Sequence, residues 1–296
     1  MTRSALRLAP VLLAALAPGL ASAAAVDWSS DLAGTFRRAP ETSQPVLVHV
    51  TASPCGHKAP IGDPSDVHET DCERFESDTL SKPAFAEAAA RFLPVIVNFA
   101  ARTGDSPLER DLMRRWKFGT IPTLLIADPW GNEVIRLVGP TPLESTLRVL
   151  RAIPADFKPL RAAGEALRDD PDRLSALLAA AAFYEASSLR LVAERYYVRA
   201  AETSAAKAGT DARRAVALPR GLNLLQMGQA KEASRVFSDE AGRGTDGDKA
   251  DAVLFGWAMA ELTAGDRAKA QSVADDLTRR FPQSPYAQRL QQNLKR

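Results

Sequence analysis

Apolar positions along this chain follow two regimes. Between about residues 46 and 138 they form short, β-branched runs separated by turn residues, whereas beyond about Pro154 they recur at helical spacing in Ala-, Leu- and Arg-rich stretches. In the first regime Val46-Leu47-Val48-His49-Val50 predicts a buried strand, Val95 to Phe99 a second, Thr123 to Ala127 a third and Val134 to Val138 a fourth. The last two are joined by the turn Asp128-Pro129-Trp130-Gly131-Asn132. Helices are predicted around them. Trp28, Leu32 and Phe36 recur every four residues within Asp27 to about Arg38, and Pro40 and Pro45 bracket a break after it. Thr70-Asp71-Cys72-Glu73 has the form of a capping box, in which the Thr hydroxyl and the Glu carboxylate each satisfy a free backbone N–H. A helix near Ser81 takes Pro83 into its first turn and points Phe85, Ala88, Ala89 and Phe92 inward. Leu108 to Lys117 and Leu143 to Arg151 complete the set, and Gly56 to Glu69 reads as a loop. Alternating strands and helices that end in a hairpin predict a mixed sheet with helices on both faces.

The second regime carries a repeat. Gly228-Gln229-Ala230-Lys231-Glu232-Ala233 matches Gly265-Asp266-Arg267-Ala268-Lys269-Ala270, and Ser188-Leu189-Arg190-Leu191-Val192-Ala193 is an earlier copy. Each predicts a turn between helices followed by a helix that buries small Ala positions, with Tyr196 and Phe237 at corresponding places. Phe281 to Ala287 ends one helix pair and begins another. Such units stack because each leaves an apolar face uncovered.

The N-terminus adds an export expectation. Arg3 and Arg7 precede an apolar stretch from about Leu8 to Leu20, and Ala21-Ser22-Ala23 offers small residues for cleavage. Residues 1–23 are therefore expected to be a signal peptide. The stretch contains Pro10 and Pro18 and is shorter than the roughly 20 residues of a spanning helix. No membrane span is expected after its removal, and the mature protein is expected in the periplasm or outside the cell. The net charge of +2, without a basic block, argues against nucleic acid as a partner. With 46% hydrophobic residues the chain is expected to build packed cores.

Three segments together resemble the thioredoxin family. Val46 to Cys55 resembles the strand that runs into its first active-site cysteine, Gly119-Thr120-Ile121-Pro122-Thr123 resembles its cis-proline loop, and Asp128 to Gly139 resembles its closing hairpin. Cys72 to Pro83 looks like the second cysteine and the helix after it in the exported thioredoxin-like subgroup. The C-terminal repeats resemble degenerate tetratricopeptide repeats. The resemblance implies an α/β thioredoxin fold, a mixed central sheet flanked by helices, over residues 24–155, and an all-α helical-repeat domain over 156–296 that binds a protein or peptide partner. It implies Cys55, Cys72 and Pro122 as the catalytic set of a thiol–disulfide oxidoreductase, with no cofactor. The family places two residues between its cysteines, whereas sixteen lie between Cys55 and Cys72.

These are the only cysteines, and an even pair in an oxidising compartment favours a disulfide. Two readings of that bond stay open: a redox-active pair, and a clamp that holds the inserted loop in a redox-silent binding scaffold. His57 and His68 lie between the cysteines, so Cys55, His57, His68 and Cys72 form a candidate zinc or copper set, though their spacing matches no zinc motif and two solvated histidines explain it as well. Glu69 is a candidate proton acceptor beside the thiols. No Gly-rich phosphate loop and no compact Gly-flanked serine appear, which removes phosphate-loop and serine-hydrolase chemistry.

Overall fold

The computed structural model describes residues 25–52, 70–99, 106–244 and 247–294. The expected signal segment, Cys55, His57, His68 and Glu69 lie outside the described residues. The first part is a four-stranded sheet, β1 (Val46–Thr51), β2 (Leu93–Asn98), β3 (Thr123–Ala127) and β4 (Glu133–Val138), in the order β2-β1-β3-β4. β1 runs parallel to β2 and antiparallel to β3, and β3 is antiparallel to β4. Every residue of β1 and of β3 is buried, as expected for central strands covered on both faces.

Strand alternation sorts the two faces. Val46, Val48 and Val50 point into a core with Leu32, Phe36, Leu112 and Trp116 from α1 (Leu32–Thr42) and α4 (Pro107–Trp116). Leu47 points the other way, toward Phe75, Leu80 and Phe85 of α2 (Asp71–Phe75), the π-helical turn Glu76–Leu80 and α3 (Pro83–Ala89), and toward Leu150 of α5 (Leu143–Ala152). The mixed sheet flanked by helices is thus the arrangement that the resemblance to the thioredoxin family implies.

Two local expectations fail at the N-terminal side. The first helix starts at Leu32, capped by Asp31, whose carboxylate accepts from the Gly34 N–H, so Trp28 is not on it. Residues before Asp31 instead lie along the sheet edge, where Ser29 bridges Val95 and donates its N–H to the Pro94 carbonyl. Trp28 there packs on the rings of His49 and Phe85, at 5.5 and 6.3 Å between centroids. The helix also runs past its expected end near Arg38, with Pro40 in its last turn, and closes at Ser43, left-handed at φ 56°, whose N–H bonds the Ala39 carbonyl. The break bracketed by Pro40 and Pro45 is present, between Thr42 and the start of β1 at Val46.

From Phe157 onward the described chain is helical. A 3-10 turn (Lys158–Leu160) leads into α6 (Arg161–Asp169), then α7 (Leu174–Ala186), α8 (Arg190–Glu202), the short α9 (Ser204–Ala208), α10 (Thr210–Gln226), α11 (Ala230–Gly242), α12 (Ala250–Ala264), α13 (Arg267–Arg280) and α14 (Pro285–Leu294). The repeat seen in the sequence is a repeat of one turn. α7, α10 and α12 each end at a residue with positive φ, Ser188 at 61°, Gly228 at 75° and Gly265 at 91°. The next N–H reaches back five residues in every copy: Leu189 to Tyr184, Gln229 to Leu224 and Asp266 to Glu261. This is the Schellman closure, and it turns each helix into an antiparallel partner. The following helices bury Ala193, Ala233 and Ala270 completely. Counted from the turn, Phe237 corresponds to Tyr197 rather than to Tyr196, because both stand nine residues past the positive-φ position. All three rings are buried, so the expected aromatic position is shifted by one residue.

The helices continue the core of the sheet. One apolar cluster runs from Leu47, Leu124 and Trp130 through Phe157 and Leu167 to Tyr184 and Tyr197. Gly164 of α6 faces Trp130 of the β3–β4 turn so closely that an added Cβ would stand 2.2 Å from the indole. Arg161 donates to the Ser43 hydroxyl at 2.8 Å, and Arg195 of α8 donates to the Val134 carbonyl.

Candidate functional site

The C-terminal end of β1 is where the predicted chemistry converges. Val50 pairs with Thr123, which sets Pro122 alongside the last residue of β1, and β1 then runs through Ala52 toward Cys55. The Ile121–Pro122 peptide is cis, Pro122 is buried, and its carbonyl accepts the Gly139 N–H at 2.9 Å. Thr123 Oγ1 donates to the Thr120 carbonyl at 2.7 Å and fixes the same loop.

Cys72 comes from the other side. The capping box is present as the sequence predicts: the Glu73 N–H donates to Thr70 Oγ1 at 3.3 Å and the Thr70 N–H to Glu73 Oε2 at 2.8 Å. Cys72 is thereby the second helical residue of α2, 4% exposed and disulfide-bonded. The chain holds one other cysteine, Cys55. A bonded sulfur has no thiolate to offer a metal, so in this state Cys72 is not part of the Cys/His ligand set. Among the described residues no group of three or more His, Cys, Asp or Glu is arranged to hold a metal ion.

Charges around Cys72 oppose the helix dipole. The backbone N–H groups at the start of α2 favour a thiolate on Cys72 in the reduced protein. Asp71, Glu73 and Glu76 disfavour it by repulsion, although Arg74 pairs with Asp71. Burial, and then the charge of Glu73, holds the Glu76 carboxyl above its ordinary value.

His49 is the site residue that motif reading passes over. It lies on β1 pointing to the α2 face, is 1% exposed, and packs its ring 6.0 Å from Phe75, one turn beyond Cys72. Its Nε2 has no hydrogen-bond partner, and neither has the hydroxyl of Thr51, the next residue on the same face. Burial pushes His49 from 6.5 down to about 4, so it is neutral at pH 7. The signal that could have found it is a histidine at an inward position of an otherwise apolar strand.

A second buried ionisable group sits at the far end of β3. Asp128 accepts the N–H groups of Trp130 and Asn132 at 3.0 and 2.9 Å and the Asn132 side-chain amide at 2.9 Å. Tyr184 of α7 adds a long hydrogen bond of 3.4 Å. Desolvation nonetheless outweighs these bonds and raises the carboxyl from 3.8 to about 6.

The two groups make opposite contributions to stability. For His49 the unfolded chain binds the extra proton between 6.5 and about 4, so stability falls as pH drops through that window. For Asp128 the folded chain binds it between about 6 and 3.8, so stability rises as pH drops. His49→Leu removes the first alone. The variant is expected to gain about 3 kcal/mol on wild type between pH 7 and pH 4 in urea melts. A stability difference that does not change with pH would show that His49 is not held neutral.

Residues 32–154 match the family model of a thioredoxin-like domain, the span that carries the sheet, Cys72 and Pro122. Two solved structures are similar to part of the chain. One, titled "DsbH Oxidoreductase", is 19% identical and aligns over 49% of this chain and 93% of its own, with a TM-score of 0.34. The other, the solution structure of a thioredoxin from Thermus thermophilus, is 23% identical over 42% of this chain and 83% of its own, with a TM-score of 0.30. The comparison with curated proteins gives no match. Residues 32–154 are a thioredoxin-like domain on the family match and the sheet order. The helical part is not covered by that match.

Proposed function

We propose that the chain is an exported thiol–disulfide oxidoreductase that works through Cys55 and Cys72, with its helical part, a tetratricopeptide-like repeat over residues 156–296, holding a protein or peptide partner. The observation that carries this reading is the disulfide-bonded Cys72 at the start of a helix packed on β1, with cis-Pro122 beside the end of that same strand. Residues 1–23 supply the export signal. Among the described residues no helix is long and apolar enough to cross a membrane.

The order of steps rests on the burial of Cys72. A residue that is 4% exposed does not meet an incoming disulfide, so Cys72 takes the second step. In the reducing direction the Cys55 thiolate attacks one sulfur of the substrate disulfide, forms a mixed disulfide and releases the other as a thiolate. Cys72, as thiolate, then attacks Cys55. The second substrate thiol leaves, two electrons have passed to the substrate, and the Cys55–Cys72 bond is restored. The proton that Cys72 gives up passes to the substrate thiolate released in the first step; His49, pushed down to about 4 by burial, is too weak a base to take it.

The reading is tested by mixing the reduced chain with excess glutathione disulfide. Both thiols should disappear with release of two equivalents of glutathione, through a trappable mixed disulfide on Cys55. A chain that keeps both thiols over hours would rule the function out. The burial of Cys72 also favours a second reading, a clamp that never turns over.

A further inference from the structure

A cleft between the sheet and the helices lies at the opposite end of β3 from Pro122. It has a volume of about 420 Å³ and is bounded by α4, the β3–β4 turn, α6 and α8. Its floor is aromatic, formed by Trp116 and Tyr196, which are 3% and 4% exposed. Four arginines, Arg115, Arg168, Arg195 and Arg199, face two carboxylates, Asp111 and Glu133, across it.

Two of the four cations are matched. Arg115 pairs with Asp111 at 3.0 Å, and Arg195 pairs with Glu133 at 3.7 Å. Among the described residues Arg199 is bonded to neutral groups: it donates to the Pro171 carbonyl at 2.7 Å and lies 5.8 Å above the Tyr196 ring. Arg168 meets Asp169 at 3.4 Å, but both side chains are more than half exposed, and such pairs contribute little. Among the described residues the walls thus carry two guanidinium charges in excess. An apolar floor and a concave shape strengthen the field of those charges. Planar guanidinium forks match carboxylate and phosphate oxygens in particular. The volume is that of a small-molecule site and exceeds the needs of a single inorganic ion.

We propose that this cleft is a binding site for a small organic polyanion, a molecule bearing two or more carboxylate or phosphate groups, held by Arg168 and Arg199 over Trp116 and Tyr196. Cys72 and Pro122 are not among the residues that line the site, and it does not depend on the proposed redox activity. Its position across the junction means that the ligand ties the thioredoxin-like domain to the first helices, so binding raises the melting temperature of the full chain.

Calorimetric titration of the full chain with citrate, inorganic pyrophosphate and a pentaglutamate peptide tests this. Saturable binding of citrate or pyrophosphate is expected, weakening as sodium chloride is added. Arg168→Gln and Arg199→Gln should each lower the affinity about tenfold. Arg279→Gln, on α13 and 77% exposed, should leave it unchanged. Among the described residues Arg168 meets the Asp169 side chain and no backbone carbonyl, so its variant keeps the test valid should Arg199→Gln fold poorly. Absence of saturable binding to either small anion, or affinities unaffected by Arg168→Gln, would overturn the proposal. Pentaglutamate binding about tenfold more tightly than either would also overturn it, by assigning the cleft to an acidic polypeptide.

Discussion

Cys72→Ser is expected to abolish release of glutathione from glutathione disulfide beyond the first mixed disulfide. Without Cys72 the chain can attack but not resolve, so Cys55 stops with one glutathione attached. Mass spectrometry should find that adduct in near-stoichiometric yield, and the catalytic rate should fall to the buffer background. Cys55→Ser should form no adduct, because the remaining sulfur is buried. The same substitution removes a cross-link spanning sixteen intervening residues, which in the chain-entropy account lowers stability by about 3 kcal/mol. Dithiothreitol should produce that loss in wild type and no change in the variant. An equal adduct yield in both serine variants would contradict the division of roles.

The second large effect lies in the helical half. Phe237 of α11 is wholly buried, with Gly221 of α10 and Gly256 of α12 on either side. A Cβ at Gly221 would stand 2.3 Å from the ring, and one at Gly256 would stand 2.5 Å from it. Ala in place of Gly favours a helix by about 1 kcal/mol. A rigid ring confined from both sides cannot retreat, so the overlap dominates and each substitution should cost a net 1 to 3 kcal/mol, on the order of other overpacked cores. The pair Gly221→Ala and Gly256→Ala should be worse than the sum, since each blocks the other's relief. Phe237→Leu should recover part of the loss in that background. Chemical denaturation followed by circular dichroism measures all four. A stabilised Gly256→Ala would show that the ring has room to move.

The elements that were readable in advance are those fixed by neighbours in the chain. The Thr70/Glu73 capping box, Pro83 in the first turn of α3, the β-branched apolar run of β1 and the Gly228 and Gly265 turns are all local devices, and the structure has them. Ser188 adopts the same turn without being glycine, so the first copy lacks the glycine that marks the other two. The break between Pro40 and Pro45 was legible from the two prolines, whereas the exact end of the helix is set by where Ser43 closes it. Trp28 misled because its four-residue spacing to Leu32 mimicked a helix, whereas Ser29 is held by the edge strand β2, a partner distant in sequence. Of the site, Cys72 and Pro122 were legible as motifs. Buried His49 and Asp128 were not, since their unusual proton affinities come from what the fold removes, water, and not from adjacent residues.

The central claim, that the Cys72 bond is an exchanging one, is tested most directly by its reduction potential. Equilibrating the full chain across dithiothreitol and glutathione buffers and counting thiols by alkylation gives that value. The account predicts a midpoint between about −120 and −270 mV, where disulfide carriers operate. A midpoint below about −300 mV would mark the bond as a permanent clamp and contradict it.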